Sequence, residues 1–369
     1  MRIEPRRVMR EKTPGQVNAG GSETEIKMKK RLLQILLVLG VLALSYQGIR
    51  QYDRYLQNRS CTREIFAMDT VMSFTAYGKD AEAAVEAAVQ EVRRLDSLLS
   101  TGSVSGEVSK LNEAGAAAVS EDTGELFVRG MEIYEDTKGA FDFTVYPLMC
   151  LWGFPTKEYH VPTQEELREV LPLVDASKVK VEGNKVSLGK GQQVDFGGIA
   201  KGYASGRVME VYREYGVTSG MVSLGGNVQV LGRKPDGSAW KIGIRNPEGA
   251  LGEIVASLDA EDCAVVTSGG YERYFEEDGT TYIHILNPAT GYPAAGELAS
   301  VTVVSEDGTL ADALSTSLYI MGMEDAVSYW KAYEDEFEMV LITEAGEIYA
   351  TEGIFGLIRT EREVEEITG

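Results

Sequence analysis

Near its N-terminus the chain carries an almost unbroken apolar run from Leu32 to Leu44, which fades through Ser45 to Ile49 and is preceded by Lys27, Lys29, Lys30 and Arg31. A spanning helix needs about 20 apolar residues and the apolar part of a signal peptide about 7–15, so this run lies between the two. Ala43-Leu44-Ser45 is a poor cleavage site, which favours an uncleaved anchor. The basic flank keeps its own side cytoplasmic, so the chain after about residue 50 is expected outside the membrane. Met28 opens a more typical export sequence than Met1, and residues 1–27 then read as an over-extended start or a disordered basic tail. The expected organisation is that tail, a signal anchor over 28–49, a linker over 50–61, one globular domain over 62–360 and a polar tail over 361–369.

Beyond a polar linker from Gln47 to Thr62, the periodicity changes. Glu64–Tyr77 alternates as a strand, and Asp80–Leu99 has apolar residues at helical spacing. A Ser/Gly loop over Ser100–Gly106, a helical turn over Glu107–Asn112 and an amphipathic helix over Thr123–Thr137 follow. Thr163-Gln164-Glu165-Glu166 is a capping-box pattern just after His160, which reads as a solvated loop residue. Val179–Leu188 predicts a hairpin turning at Gly183-Asn184, and Gly202–Tyr215 a helix entered from a glycine-rich loop. Strands dominate from Met221 to Val304, with turns at Gly225-Gly226-Asn227, Asp236-Gly237 and Asp278-Gly279. The last helix is expected over Leu310–Met321, directly after the strand Leu298–Val304. Strands and helices mix without regular βαβ alternation, so the fold class is α+β, with mixed sheets and packed helices.

Composition narrows the function. With 44% hydrophobic and 25% charged residues in 369, a real core is feasible, and a net charge of −21 argues against nucleic-acid partners. An anionic substrate must therefore be neutralised locally. Cys61, Cys150 and Cys263 are widely spaced, with neither a disulfide framework nor a zinc pattern, and read as inert thiols. The spacing of Asn58-Arg59-Ser60-Cys61 does not fit a lipoprotein site.

Two runs far apart propose a site. His284-Ile285-Leu286-Asn287-Pro288-Ala289-Thr290-Gly291-Tyr292-Pro293 sets one of only two histidines against a Pro/Gly-rich turn, and Ala311-Asp312-Ala313-Leu314-Ser315-Thr316 puts a carboxylate and a hydroxyl four apart on one helical face. Such oxygens suit a hard cation, and a base beside Mg²⁺ points to phosphoryl-type transfer. Asp312 and Thr316 have a plainer reading as a dipole-facing Asp and a packed Thr. Asp195-Phe196-Gly197-Gly198-Ile199-Ala200-Lys201-Gly202 precedes a helix and lets backbone approach a ligand, but it is not a Walker A loop and also reads as a tight strand-to-helix turn. Ala140-Phe141-Asp142-Phe143-Thr144-Val145 is a β-prone run with a carboxylate, and Leu151-Trp152-Gly153-Phe154 adds an indole; such aromatics usually serve a core.

The order of these runs resembles the ApbE family of FAD:protein FMN transferases over about residues 62–360. Its carriers are Met68-Asp69-Thr70, Glu107 through Asn112, Ala140 through Thr144, Asp195 through Gly202, Leu224-Gly225-Gly226-Asn227, Thr267-Ser268-Gly269, His284 through Pro293, and Asp312 with Thr316. The resemblance implies a flavin transferase fold with its ligand in a cleft between subdomains. It implies FAD contacts at Met68, Ala140, Phe141, Asp142, Asp195, Lys201 and Leu286, and a Mg²⁺ site at Asp312, Thr316 and the backbone carbonyl of Gly198. Two departures stand out. Ser315 lies where some relatives have a carboxylate ligand, and Gly102 where many have a tyrosine that stacks on the flavin.

The implied reaction converts FAD and a protein Thr or Ser into an FMN-protein phosphoester and AMP, with His284 as base. The expected acceptor is an exported or membrane-bound electron-transfer flavoprotein, with the catalytic domain extracytoplasmic at the cell membrane. FAD hydrolysis to FMN and AMP shares every motif. A non-catalytic exported flavin carrier is a third reading, disfavoured because storage needs neither a base nor a metal.

Overall fold

The computed structural model describes residues 20–250 and 252–369, and the chain divides into two compact units, the second running from Gln57 to Gly369. In the first, a helix spans Gly20–Gln57, and its stretch Glu25–Gln57 reaches a mean hydropathy of 2.0. Its side chains from Leu32 to Leu44 are exposed apolar groups, and the helix is long and apolar enough to cross a membrane. Residues 20–27 form its first turns, while the rest of the expected tail, residues 1–19, lies outside the described residues. The linker expected over 50–61 is helical as far as Gln57 and extended from Ser60. Polarity alone does not stop a helix, and no Gly or Pro falls between Arg50 and Gln57.

The second unit is built on a nine-stranded sheet. Its strands lie side by side in chain order: Ser60–Ala67, Thr70–Tyr77, Ser219–Leu224, Asn227–Leu231, Ala264–Gly269, Leu298–Ser305, Glu338–Thr343, Ile348–Thr351 and Val364–Ile367. All neighbours are antiparallel except the final pair, which is parallel, so the sheet is mixed. On one face pack the helices Ala81–Leu99, Ala200–Glu214 and Gly308–Met321, enclosing a core that includes Met72, Phe74, Val222, Val266, Val301, Val303 and Leu341. Alternate residues of the same strands, Val230, Val265, Val304, Val340 and Ile342, meet a three-stranded sheet of Trp240–Arg245, Ile254–Ala260 and Ile358–Arg359. Period-two alternation thus feeds two cores from one sheet, and Leu298–Ser305, covered on both faces, is buried along its whole length. A third apolar cluster joins Leu148, Trp152, Leu167, Phe275 and Leu286. The architecture is α+β.

Four expectations need correction. Glu64–Tyr77 is not one strand but the second part of a hairpin whose arms pair from Ser60↔Tyr77 to Ala67↔Thr70. Met68 and Asp69 form its two-residue turn with φ of 45° and 59°, the left-handed pair that such turns require. Alternation runs unbroken through a two-residue turn, which hid it. Residues 361–369 are not a free tail: Val364–Ile367 closes the large sheet and Ile367 joins its core. The helix Gly308–Met321 is followed by Met323–Ala332 and Glu352–Phe355 and so is not the last. The β-prone Ala140–Val145 forms turns, because the carboxylate of Asp142 accepts from Thr144 N–H at 2.7 Å and Ala176 N–H at 3.2 Å and folds the segment on itself.

Candidate active site

The glycine-rich loop enters the site from the core. Asp195 N–H donates to Phe143 O at 2.8 Å, and its carboxylate accepts from Gly197 N–H, closing a turn that starts the helix Ala200–Glu214. At the third residue of that helix, Gly202 N–H donates to Asp312 Oδ2 at 2.8 Å. The approach depends on glycine, because a Cβ on Gly202 would lie 2.1 Å from Gly308 O and 2.7 Å from Asp312 Cβ. Lys201 then stands with Nζ 3.9 Å from Asp312 Oδ1 and donates to Gly197 O at 3.4 Å. Asp312 is only 3% exposed, so this ammonium and the backbone N–H are what offset its desolvation.

On the other side of Asp312, Ser315 Oγ donates to Asp312 O at 2.8 Å. Ser268, at the end of the strand Ala264–Gly269, has its Oγ 2.8 Å from Ser315 Oγ and 3.0 Å from Thr316 Oγ1. Asp312 and Thr316 are therefore brought together with two hydroxyls. Gly198, the third proposed metal position, lies against the Phe141 ring, 3.5 Å from where its Cβ would be. Among the described residues no group of three or more His, Cys, Asp or Glu is arranged to hold a metal.

His284 follows the hairpin Tyr274–Glu277 and Thr280–Ile283. Its backbone N–H donates to Arg273 O at 3.0 Å, and its Nδ1 lies 3.1 Å from the same oxygen. A carbonyl only accepts, so Nδ1 carries the proton and Nε2 is left with its lone pair. Beyond it, Asn287 O accepts from Thr290 and Gly291 N–H, Asn287 Oδ1 accepts from Ala289 N–H, and Trp152 Nε1–H donates to Gly291 O at 2.8 Å. Gly291 has a φ of 76° and is packed among leucines, which explains a glycine at this turn. Leu286 is buried in the third apolar cluster and bridges to Pro293.

Charges converge here. Burial, then the positive charge of Arg273, pushes the imidazole of His284 down to about 4; its bond to the Arg273 carbonyl opposes this and Lys201 adds to it. Burial pushes Asp195 up against the Gly197 N–H, Lys201 and Arg273, and Asp69 raises it further. Burial also pushes Glu272 up, with Lys201, Arg273 and Arg245 opposing and Asp312 adding. Asp195 and His284 keep partial exposure and Glu272 is exposed, so solvent reaches all three.

Asp195, Lys201, His284, Asp312 and Thr316 thus lie near one another, with Lys201 acting on Asp195, His284 and Asp312 and the serines linking Asp312 to Thr316. Met68 joins at the hairpin turn, with its N–H on Asp96 Oδ1 at 3.1 Å and the neighbouring Asp69 acting on Asp195. Phe141 supplies a buried wall, whereas the carboxylate of Asp142 is taken up by Thr144 and Ala176, and Ala140 donates its N–H to Thr137 O. Gly102 lies in the loop Ser100–Gly106 with its N–H on Ser100 Oγ. Tyr146 stands beside Thr101 within electrostatic reach of Asp195, bringing an aromatic ring to that side. Glu272 and Arg273 are the residues that sequence reasoning missed; no spacing marks them, and only their place between the strand Ala264–Gly269 and His284 pointed there.

The ApbE family model matches residues 68–341. The FAD:protein FMN transferase of Treponema pallidum (strain Nichols) is 31% identical over 319 residues, covering 80% of this chain and 88% of that protein. That of Klebsiella pneumoniae (strain 342) is 31% identical, covering 79% and 92%. Among solved structures, the ApbE protein from Thermotoga maritima superposes with a TM-score of 0.77 at 33% identity, over 83% of this chain and 100% of its own. The apo flavinyl transferase ApbE of Pseudomonas stutzeri gives 0.73 at 28%, over 82% and 97%.

Proposed function

The chain belongs to the ApbE family and is an enzyme of the FAD:protein FMN transferase type, and from that premise we propose that it transfers FMN from FAD to a Thr or Ser hydroxyl of an exported or membrane-bound electron-transfer protein. The acceptor oxygen attacks the phosphorus on the FMN side of the diphosphate, the bond to the AMP phosphate breaks, and AMP leaves with the bridging oxygen. The hydroxyl proton passes to His284 Nε2. The observation that carries this reading is the pinned tautomer: with Nδ1–H held by Arg273 O, the lone pair is on Nε2, which is free to take a proton.

An imidazole held near 4 is neutral at physiological pH but a weak base. The same causes that depress it, burial and the charges of Arg273 and Lys201, change when an anionic diphosphate enters, because negative charge beside the ring favours imidazolium. Substrate thereby strengthens the base that acts on it. Lys201 would stabilise charge on the transferring phosphoryl group, and Asp195 would hydrogen-bond the flavin nucleotide.

The donor set fits Mg²⁺. Asp312 and Thr316 present only hard oxygens, with the Gly198 carbonyl as the third proposed donor, and a cation with so few protein ligands completes its shell with water and substrate phosphate. When bound it would neutralise the diphosphate and polarise the phosphorus. The helix Gly20–Gln57 would anchor the enzyme in the membrane, with Gln57–Gly369 on the extracytoplasmic side.

The test is product analysis in FAD and Mg²⁺, with and without an acceptor domain bearing a flavinylation threonine. AMP release that requires the acceptor is expected. Equal AMP and free FMN without acceptor would make the enzyme an FAD pyrophosphatase instead.

A further inference from the structure

Three hydroxyls and one carbonyl beside Asp312 form a chain in which every proton can be assigned. Ser315 Oγ is 2.8 Å from Asp312 O, and a carbonyl oxygen has no proton to give, so the single Ser315 proton lies in that bond. Ser315 can then only accept in its 2.8 Å contact with Ser268 Oγ, so Ser268 donates there. Having spent its one proton, Ser268 can only accept in its 3.0 Å contact with Thr316 Oγ1, so Thr316 donates. The run of donors is Thr316 to Ser268 to Ser315 to the helix backbone. Thr316 Oγ1 is thereby left with its proton pointed at Ser268 and its lone pairs available elsewhere. Burial orders the chain in the same direction: Ser315 is 0% exposed, while Ser268 and Thr316 are partly exposed.

We infer that Ser268 is a positioning residue for the cation site, holding the proton of the Thr316 hydroxyl so that its lone pairs stay free for the cation, with Ser315 as the buried anchor of the relay and not a ligand. This rests on the reading of Asp312 and Thr316 as the cation site. A free threonine hydroxyl rotates its proton among several directions, and a cation excludes those that point toward it. Fixing the proton on the far side removes that cost in advance, as a partner behind a metal ligand does.

Mn²⁺ binding tests this without turnover: free Mn²⁺ is followed by electron paramagnetic resonance during titration of the full chain in detergent, without FAD, for wild type, S268A, S268T, T316V and D312A, with thermal unfolding measured alongside. S268A should weaken Mn²⁺ by about ten-fold or more, the range for partners behind metal ligands. S268T, which keeps the hydroxyl, should recover most of it, and T316V and D312A should lose at least as much as S268A. Wild-type affinity in S268A together with weakened binding in T316V would overturn the relay while leaving the cation site standing. Undiminished binding in T316V and D312A would remove the cation site itself, and the inference with it.

Discussion

The base role proposed for His284 depends on where its proton sits. Its ring nitrogens are made unequal by one backbone carbonyl, that of Arg273, and its affinity for a second proton is lowered by burial and by the charge of the same arginine. H284A should therefore retain FAD binding, read by flavin fluorescence, while transfer falls about 10²–10⁴-fold, the usual yield of a positioned base. Stability follows with a definite sign. An unfolded histidine takes up its proton near 6.5 and the folded one near 4, so between those values the unfolded chain binds more protons. The folded state of wild type should lose stability as pH falls from about 6.5 to about 4, relative to H284Q, which has no proton to take. Parallel stability profiles of the two proteins would contradict the depressed affinity. Other groups, such as Asp195 and Glu272, shift the opposite way, which is why the comparison with the variant is the useful one.

Elements position these residues through a few close contacts. Gly202 lets the helices Ala200–Glu214 and Gly308–Met321 touch, and its N–H fixes the Asp312 carboxylate. G202A must push the helices apart, so it should cost about 1–3 kcal/mol by denaturant unfolding and should disturb Asp312 as well. The closing strand makes a second case: removing residues 361–369 strips Val364–Ile367 from its parallel partner and Ile367 from the core, and should lower the midpoint of thermal unfolding measurably. What the sequence showed of these elements follows the strength of their local signals. Thr163 and Glu166 form the expected capping box, and the helix at Ala81–Leu99 buries the face its periodicity marked. The Met68-Asp69 turn lacked the usual Asn-Gly signature, and its left-handed backbone is held from afar, by Asp96 on the Met68 N–H. The closing strand buries one residue in four, too little for alternation to register. At the candidate site, His284, Asp312 and Thr316 could be proposed from the sequence because their motifs are local, whereas the neighbourhood of Glu272 and Arg273 and the contacts of Ser268 exist only once hairpin, strand and helix come together.

At the scale of the whole molecule, the unit Gln57–Gly369 contains every candidate site residue, while the helix Gly20–Gln57 contributes apolar surface and none of them. Deleting residues 1–56 should therefore release a soluble enzyme whose kcat with a soluble acceptor is close to that of the full chain in detergent; an inactive but folded deletion would give the N-terminal segment a part in the site. The strongly acidic balance, −21 over the chain, leaves Lys201, Arg273 and Arg245 as local positive charge in an otherwise repulsive field. Added salt should therefore assist FAD binding modestly by screening that field. The central claim is covalent transfer, and the most direct measurement is a mass spectrum of acceptor peptides after incubation with enzyme, FAD and Mg²⁺. One Thr or Ser peptide heavier by FMN less one water is expected, with AMP released in equal amount; an unmodified acceptor beside consumed FAD would contradict covalent transfer.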